Sequence, residues 1–248
     1  ISYKIGGALK RIRFYKKIIK DYKIDFILTS TESGIKLPII LRFITSVPIG
    51  IDLHGLSPEE NYFFKNIGKV RKVFEKIKIS FFLSLYNVVY PVSNKLARYY
   101  WYIPTKFVTI YGGVNEVDFL DSKKYDPPNI FTIGYMGNAR PYQGLDILLS
   151  AGELLHKQNI MFRFNLVLSG VTEEEITKKL KSYNMLDHTD YSLNVPHKKV
   201  TSIIKNSSVL VIPRLYIKIT EYAYPSKLPE CLMTSIPTLI TDVGPVRE

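Results

Sequence analysis

The sequence predicts an α/β protein made of two doubly wound domains in tandem. Three observations carry this. Short runs rich in β-branched and aromatic residues alternate with segments of helical spacing along the chain. The runs are apolar enough for strands of a parallel sheet covered on both faces. A polar stretch ending in Pro-Pro, Asp118 to Pro128, interrupts the alternation, which then restarts.

Each element follows from local pattern. Residues 8–22 place Leu9, Ile12, Tyr15, Ile19 and Tyr22 on one helical face, and residues 65–84 do the same with Ile67, Val70, Phe74, Ile77 and Phe81. Between and after them, 25–30, 48–53, 87–92 and 107–111 read as strands. Beyond the break come strand 131–136, helix 142–157, strand 162–169, helix 172–184, strand 191–195 and a short helix from 197. Strand 209–212, helix 226–235 and strand 238–241 close the series. The expected domains are 1–120 and 121–248, both Rossmann-like. The chain begins inside a helical segment and ends just after a strand. It therefore reads as a fragment whose first domain lacks its opening strands and whose last is truncated.

Composition narrows the function. A single cysteine, Cys231, excludes an internal disulfide and a Cys-based zinc cluster. His54, His156, His188 and His197 are far apart in sequence, and no metal-ligand spacing is present. The expectation is a reducing, cytoplasmic setting and no metal. The most apolar stretch, 79–92, falls short of the roughly 20 residues of a membrane span. The net charge of +12 is lopsided, because residues 1–125 hold 21 Lys and Arg against 10 Asp and Glu.

Two constellations carry chemistry. In the first, Gly134 to Leu149, a strand enters a loop holding Gly137, Arg140, Gln143 and Gly144 and then a helix. Such a loop turns backbone N–H groups and a positive helix end toward a ligand at the strand's carboxyl edge. Arg140 suits a bidentate contact with a diphosphate. The loop matches neither the dinucleotide fingerprint nor a P-loop, and its glycines serve backbone geometry equally well. In the second, Glu221 to Gly244, Ser226 is placed to cap a helix carrying Lys227 and, in its first turn, Glu230. Glu230 suits the two vicinal hydroxyls of a ribose, although a surface helix with a dipole-favoured Glu has the same pattern.

These segments resemble the retaining GT-B glycosyltransferases of the large family that includes sucrose synthase and the mannosyltransferases. Thr109 to Asn115 with Phe119 resembles the family's domain junction, Gly137 to Gly144 its phosphate loop, Pro225 to Pro237 its "P-x-K-x-x-E" run, and Asp242 to Glu248 its "D-x-G-G-x-x-E" ending. Val92-Ser93 and Asp52 to Gly55 resemble positions of its first domain. The resemblance implies a nucleotide diphosphate sugar donor, UDP- or GDP-linked, no other cofactor, and a metal-independent transfer that retains configuration. It implies that Glu230 binds the ribose, and that Arg140 and the Ser226 helix end hold the diphosphate, with Lys227 or Arg214 as the residues that could compensate for the lysine replaced by Gln143. His54 would approach the transferred sugar or the acceptor, a structural histidine being the other reading. The sequence departs from the pattern at Asn138, at Gln143 where a lysine is usual, and at Tyr222, with Glu221 one residue from the first catalytic Glu position.

The basic first half points to a partner. Segment 10–23 carries seven basic residues and one acid, and 65–78 six and one. With their apolar stripes they suit the surface of an anionic membrane, or else are solvated outer faces. No RNP, helix-turn-helix or zinc-finger signature supports nucleic acid. The expected protein is a peripheral enzyme at the inner face of the membrane, acting on a lipid-linked or saccharide acceptor of cell-envelope polysaccharide. The competing expectation is a degenerate, non-catalytic module binding membrane or anionic polymer.

Overall fold

The computed structural model describes residues 7–30, 35–114 and 128–248. The chain divides into two compact units, Ile1–Tyr111 with Glu221–Tyr224 and Glu248, and Gly112–Thr220 with Pro225–Arg247. The expected linker lies outside the described residues except for Pro128, and so do Asn115 and Phe119 of the junction. No described helix is long and apolar enough to cross a membrane.

The first unit contains α1 (Ala8–Asp21), β1 (Ile27–Ser30), α2 (Lys36–Thr45), β2 (Ile49–Leu53), α3 (Ser57–Phe64), α4 (Lys69–Ser84), β3 (Val88–Pro91), α5 (Asn94–Tyr99) and β4 (Lys106–Phe107). Its strands form a parallel sheet in the order β1-β2-β3-β4. Ile49, Ile51 and Leu53 of β2 and Val89 of β3 are fully enclosed, packed with Leu83 of α4 and Leu96 of α5. Ser93 caps α5, its Oγ accepting the Leu96 N–H at 3.0 Å and donating to the Tyr222 carbonyl at 3.0 Å. Tyr222 and Tyr224, distant in sequence, pack on this same core.

The second unit contains β5 (Thr132–Asn138), α6 (Leu145–Lys157), β6 (Arg163–Ser169), α7 (Glu173–Ser182), β7 (Thr189–Leu193), α8 (His197–Ile204) and β8 (Val209–Ile212). Then follow α9 (Lys218–Tyr222), whose last two residues belong to the first unit, α10 (Lys227–Met233) and β9 (Thr238–Ile240). The sheet is parallel in the order β7-β6-β5-β8-β9. The period of two sorts its side chains. Ile133, Tyr135, Phe164, Leu166 and Leu168 meet α6 and α7 on one face, and Met136, Val167, Leu210 and Ile212 meet Ile204 and Cys231 on the other. Both faces are apolar, as a parallel sheet demands. The Asn165 amide among them donates to the Ile203 carbonyl at 2.8 Å. A capping box of Thr172 and Glu175 starts α7.

Several expectations are corrected. The helix expected from 142 begins at Leu145, after a 3₁₀ turn Pro141–Gln143 and Gly144 in the left-handed conformation (φ 79°). Strand 107–111 is replaced by β4 at 106–107. Val108 and Ile110 still donate to the Val89 and Pro91 carbonyls, but Pro91 has no N–H to continue the ladder. β7 ends at Leu193 instead of 195, where Asn194 turns to positive φ. Helices α2, α3, α5 and α9 were not expected. Pro38 and Pro58 in the first turns of α2 and α3 read as breakers, and α5 and α9 are too short to show a period.

Gly144 is the tightest point. A Cβ there would lie 1.6 Å from the Pro213 carbonyl oxygen, and the positive φ disfavours any side chain. Gly144→Ala is expected to cost about 3 kcal/mol, read as a fall in the urea midpoint. An unchanged midpoint would mean that the loop rebuilds without strain.

Candidate functional site

In the second unit β5 lies centrally, with β6 and β7 on one side and β8 and β9 on the other. The crossovers leave β5 in opposite directions, so a crevice opens beyond the carboxyl ends of β5, β6 and β8. The loop after β5 is laid over the end of β8, with Gly144 against Pro213 and the Leu215 N–H donating to the Tyr142 carbonyl at 3.1 Å.

Two cations are driven into this place. Arg214, two residues beyond the end of β8, is only 5% exposed, and desolvation lowers its pKa to about 10. Lys227 at the start of α10 donates to Gln143 Oε1 at 3.2 Å and lies 4.9 Å from the centroid of the Tyr135 ring. Burial, and next the Arg214 charge, depress Lys227 to about 8. The lysine needs Gly137 beneath it. A Cβ at Gly137, where φ is 147°, would stand 1.7 Å from Nζ. A buried arginine and a half-buried lysine at strand ends make the place electropositive, which suits an anion.

Beside them is a cavity of about 230 Å³. Gly137 and Lys227 line one part, Val195 and Val200 give apolar wall, and Ser169 and Glu230 add polar atoms. Glu230, in the first turn of α10, has its Oε1 3.2 Å from His197 Nε2. As a carboxylate it accepts, which leaves its other oxygen lone pairs for hydroxyl donors. His197 was noted in the sequence only as one of four scattered histidines. Nothing in its neighbours announces the contact, which arises because α8 and α10 cover one face of the sheet.

The structure thus brings together Gly137, Gln143, Gly144, Arg214, Lys227 and Glu230. Arg140 is exposed at the entry to the 3₁₀ turn, its N–H donating to Asn138 Oδ1 at 3.3 Å. Ser226 occupies the N-cap position of α10 but has helical dihedrals and makes no side-chain cap, which corrects its expected role. A capping side chain needs an extended backbone to reach back. The expected set of free N–H groups is also reduced. The Leu228 N–H bonds to the Pro225 carbonyl at 2.9 Å, and Pro229 has none.

His54 and Glu221 belong to the first unit. His54 follows β2, its Nε2 2.8 Å from Asp52 Oδ2. Glu221 is ion-paired with Lys95 of α5. Glu248 accepts the Asn94 and Lys95 N–H groups at 2.7 and 2.9 Å. Asp52, Lys95 and Glu248 were not singled out as site residues, because each acquires its partner only through the fold. Among the described residues no group of three His, Cys, Asp or Glu side chains could hold a metal ion. Burial pushes the Cys231 thiol up to about 12, which makes it a packing residue.

Comparison with known proteins fits this geometry. No curated protein matches the chain by sequence. The structure is similar to sucrose-phosphate synthase from Thermosynechococcus elongatus, with 17% identity and a TM-score of 0.71 over 95% of this chain and 60% of that one. HepE from Anabaena in complex with UDP has 11% identity and a TM-score of 0.66 over 98% of this chain and 67% of that one. A mutant of S. aureus TarM, in complex with fondaparinux, α-GlcNAc-glycerol and UDP, has 16% identity and a TM-score of 0.70 over 96% and 46%. The chain therefore spans about three fifths of the sucrose-phosphate synthase structure. The likeness establishes a GT-B type fold of two Rossmann-like units. A family model described as "Glycosyl transferases group 1" matches residues 117–248, more than half of the chain, and the protein belongs to that family.

Proposed function

We propose that the protein is a retaining glycosyltransferase that moves a sugar from a nucleotide diphosphate sugar to a saccharide or lipid-linked acceptor of cell-envelope polysaccharide. The observation that carries this reading is the pair Arg214 and Lys227, two desolvated cations at the carboxyl ends of β8 and β5 beside the Glu230 carboxylate. A diphosphate relieves the mutual repulsion of the cations, and a ribose supplies hydroxyl donors to Glu230. The UDP in the HepE and TarM complexes favours uridine over guanosine in the donor.

In the reaction the bond between the sugar C1 and the diphosphate oxygen breaks. An acceptor oxygen forms a new bond to C1 on the same face, and the acceptor proton is released. Negative charge grows on the leaving diphosphate. Lys227 and Arg214 meet it without reorganisation, which is the cheapest way to stabilise developing charge. We assign no resident metal or further cofactor, since these cations supply the positive charge. His54, oriented by Asp52, and Glu221 are assigned to the transferred sugar and acceptor. The reading places the enzyme in the cytoplasm at the inner face of the membrane.

Two measurements test the donor site. In calorimetric titrations of UDP and GDP, one nucleotide should bind saturably and Glu230→Ala should weaken it. Each lost charge-assisted hydrogen bond costs about 1.5–3 kcal/mol, roughly ten- to hundredfold in affinity. Equal affinity in the variant would remove Glu230 from the ribose, and binding of neither nucleotide would favour a degenerate module. The second measurement is pH. Lys227 must be charged to hold the diphosphate, and in the free protein it loses its proton around pH 8. Nucleotide affinity should be flat just below pH 8 and fall above it, approaching tenfold per pH unit, and Lys227→Met should abolish the fall. Without ligand the sign reverses. The unfolded chain binds the lysine proton more tightly, so stability should rise with pH above about 8.

A further inference from the structure

Helix α4 of the first unit has two apolar faces. One holds Ile79 and Leu83, buried against the sheet. The other holds Val70, Val73, Phe74, Ile77 and Phe81, every one exposed. At 100° per residue these five fall within a stripe about 100° wide on the side opposite Ile79, and they run for about 17 Å along the axis. A solvated helix normally carries charge there.

The borders of the stripe are basic. Lys69 lies on one side and Arg71 and Lys78 on the other, all exposed. The acid of this helix, Glu75, is held back by Asn61 Nδ2 at 2.9 Å and by Arg71 at 3.8 Å. Trp101, the only tryptophan of the chain, is 81% exposed. Its neighbour Tyr102 is tied to α4 by a 2.8 Å hydrogen bond to Ser80 and by Lys76, 5.3 Å from the ring centroid.

We propose that this stripe of α4, with Trp101 at its edge, is a docking surface for an anionic lipid bilayer. The chemistry selects this occupant. Aliphatic and phenyl groups at the summit need an apolar phase, and lysines and arginine along the borders need anions at its boundary. An amphipathic helix lying in the headgroup layer meets both, and an exposed tryptophan suits the same depth. A nucleic acid would satisfy the cations but leave the apolar summit in water. A second copy of the chain would bury the summit but set these bases against their own kind. The surface requires no nucleotide and no turnover, so it stands apart from the donor-site reading.

The test uses the intact chain and extruded vesicles of phosphatidylcholine, alone or with 30% phosphatidylglycerol. The expected result is cosedimentation with the anionic vesicles, weakened by salt, with a blue shift of Trp101 fluorescence and quenching by brominated lipid. The double variant Ile77→Ser, Phe81→Ser should bind at least about tenfold more weakly, and Lys69→Glu with Lys78→Glu should lose the preference for anionic lipid. UDP binding serves as the control, because neither pair touches the donor site, and circular dichroism verifies folding. No sedimentation, binding that ignores these substitutions, or a tryptophan that stays in water would overturn the proposal. So would self-association, or capture of a polyanion in place of vesicles, abolished by the same variants.

Discussion

The second unit turns on two cations brought to one crevice, a buried arginine and a half-buried lysine whose pKa the arginine lowers. Neither can retreat. Arg214 is fixed by its place just beyond the end of β8, and Lys227 threads over Gly137, a residue with no side chain to obstruct it, to reach Gln143 and the Tyr135 ring. Desolvation lowers the pKa of Arg214, and desolvation together with the Arg214 charge lowers that of Lys227, which favours an anion beside them. The sharp turn at Gly144, the glycine at 137 and the proline-containing start of α10 are local costs accepted to hold the cations there.

The sequence makes the fold legible where elements are long or strongly apolar. β2, β5, β6 and β8 lie within about three residues of expectation because each is a continuous, largely apolar run. The short helices are illegible because their first-turn prolines punctuate the chain like loops, and five or six residues contain no repeat. The site is half legible. Gly137, Lys227 and Glu230 follow from their spacing and the family resemblance, and the fold gathers them. The link between Gln143 and Lys227 does not follow, since it joins residues 84 positions apart in sequence. Ser226 is not legible, because its residue type favours a cap while its backbone is helical.

The two basic helices of the first half separate once exposure is known. α1 has a basic surface but no buried residue, whereas α4 is anchored by Ile79 and Leu83 and presents a second apolar stripe outward. Charge count alone cannot distinguish them. Which hydrophobic residues the core has already claimed does so.

The first unit is not a continuous piece of chain. Half-buried Tyr222 and Tyr224 pack against its core, Ser93 bonds to the Tyr222 carbonyl and Lys95 pairs with Glu221, and these partners come from beyond the second unit's α8 and β8. A gene cut after residue 111 would remove these partners and expose the packing they cover. Exchange of the first unit between related enzymes by a single crossover would therefore produce mismatched cores. A substitution within residues 221–224 would be felt at α5 and at the first unit's core, although those four residues are reached only after most of the second unit's sheet has been laid down.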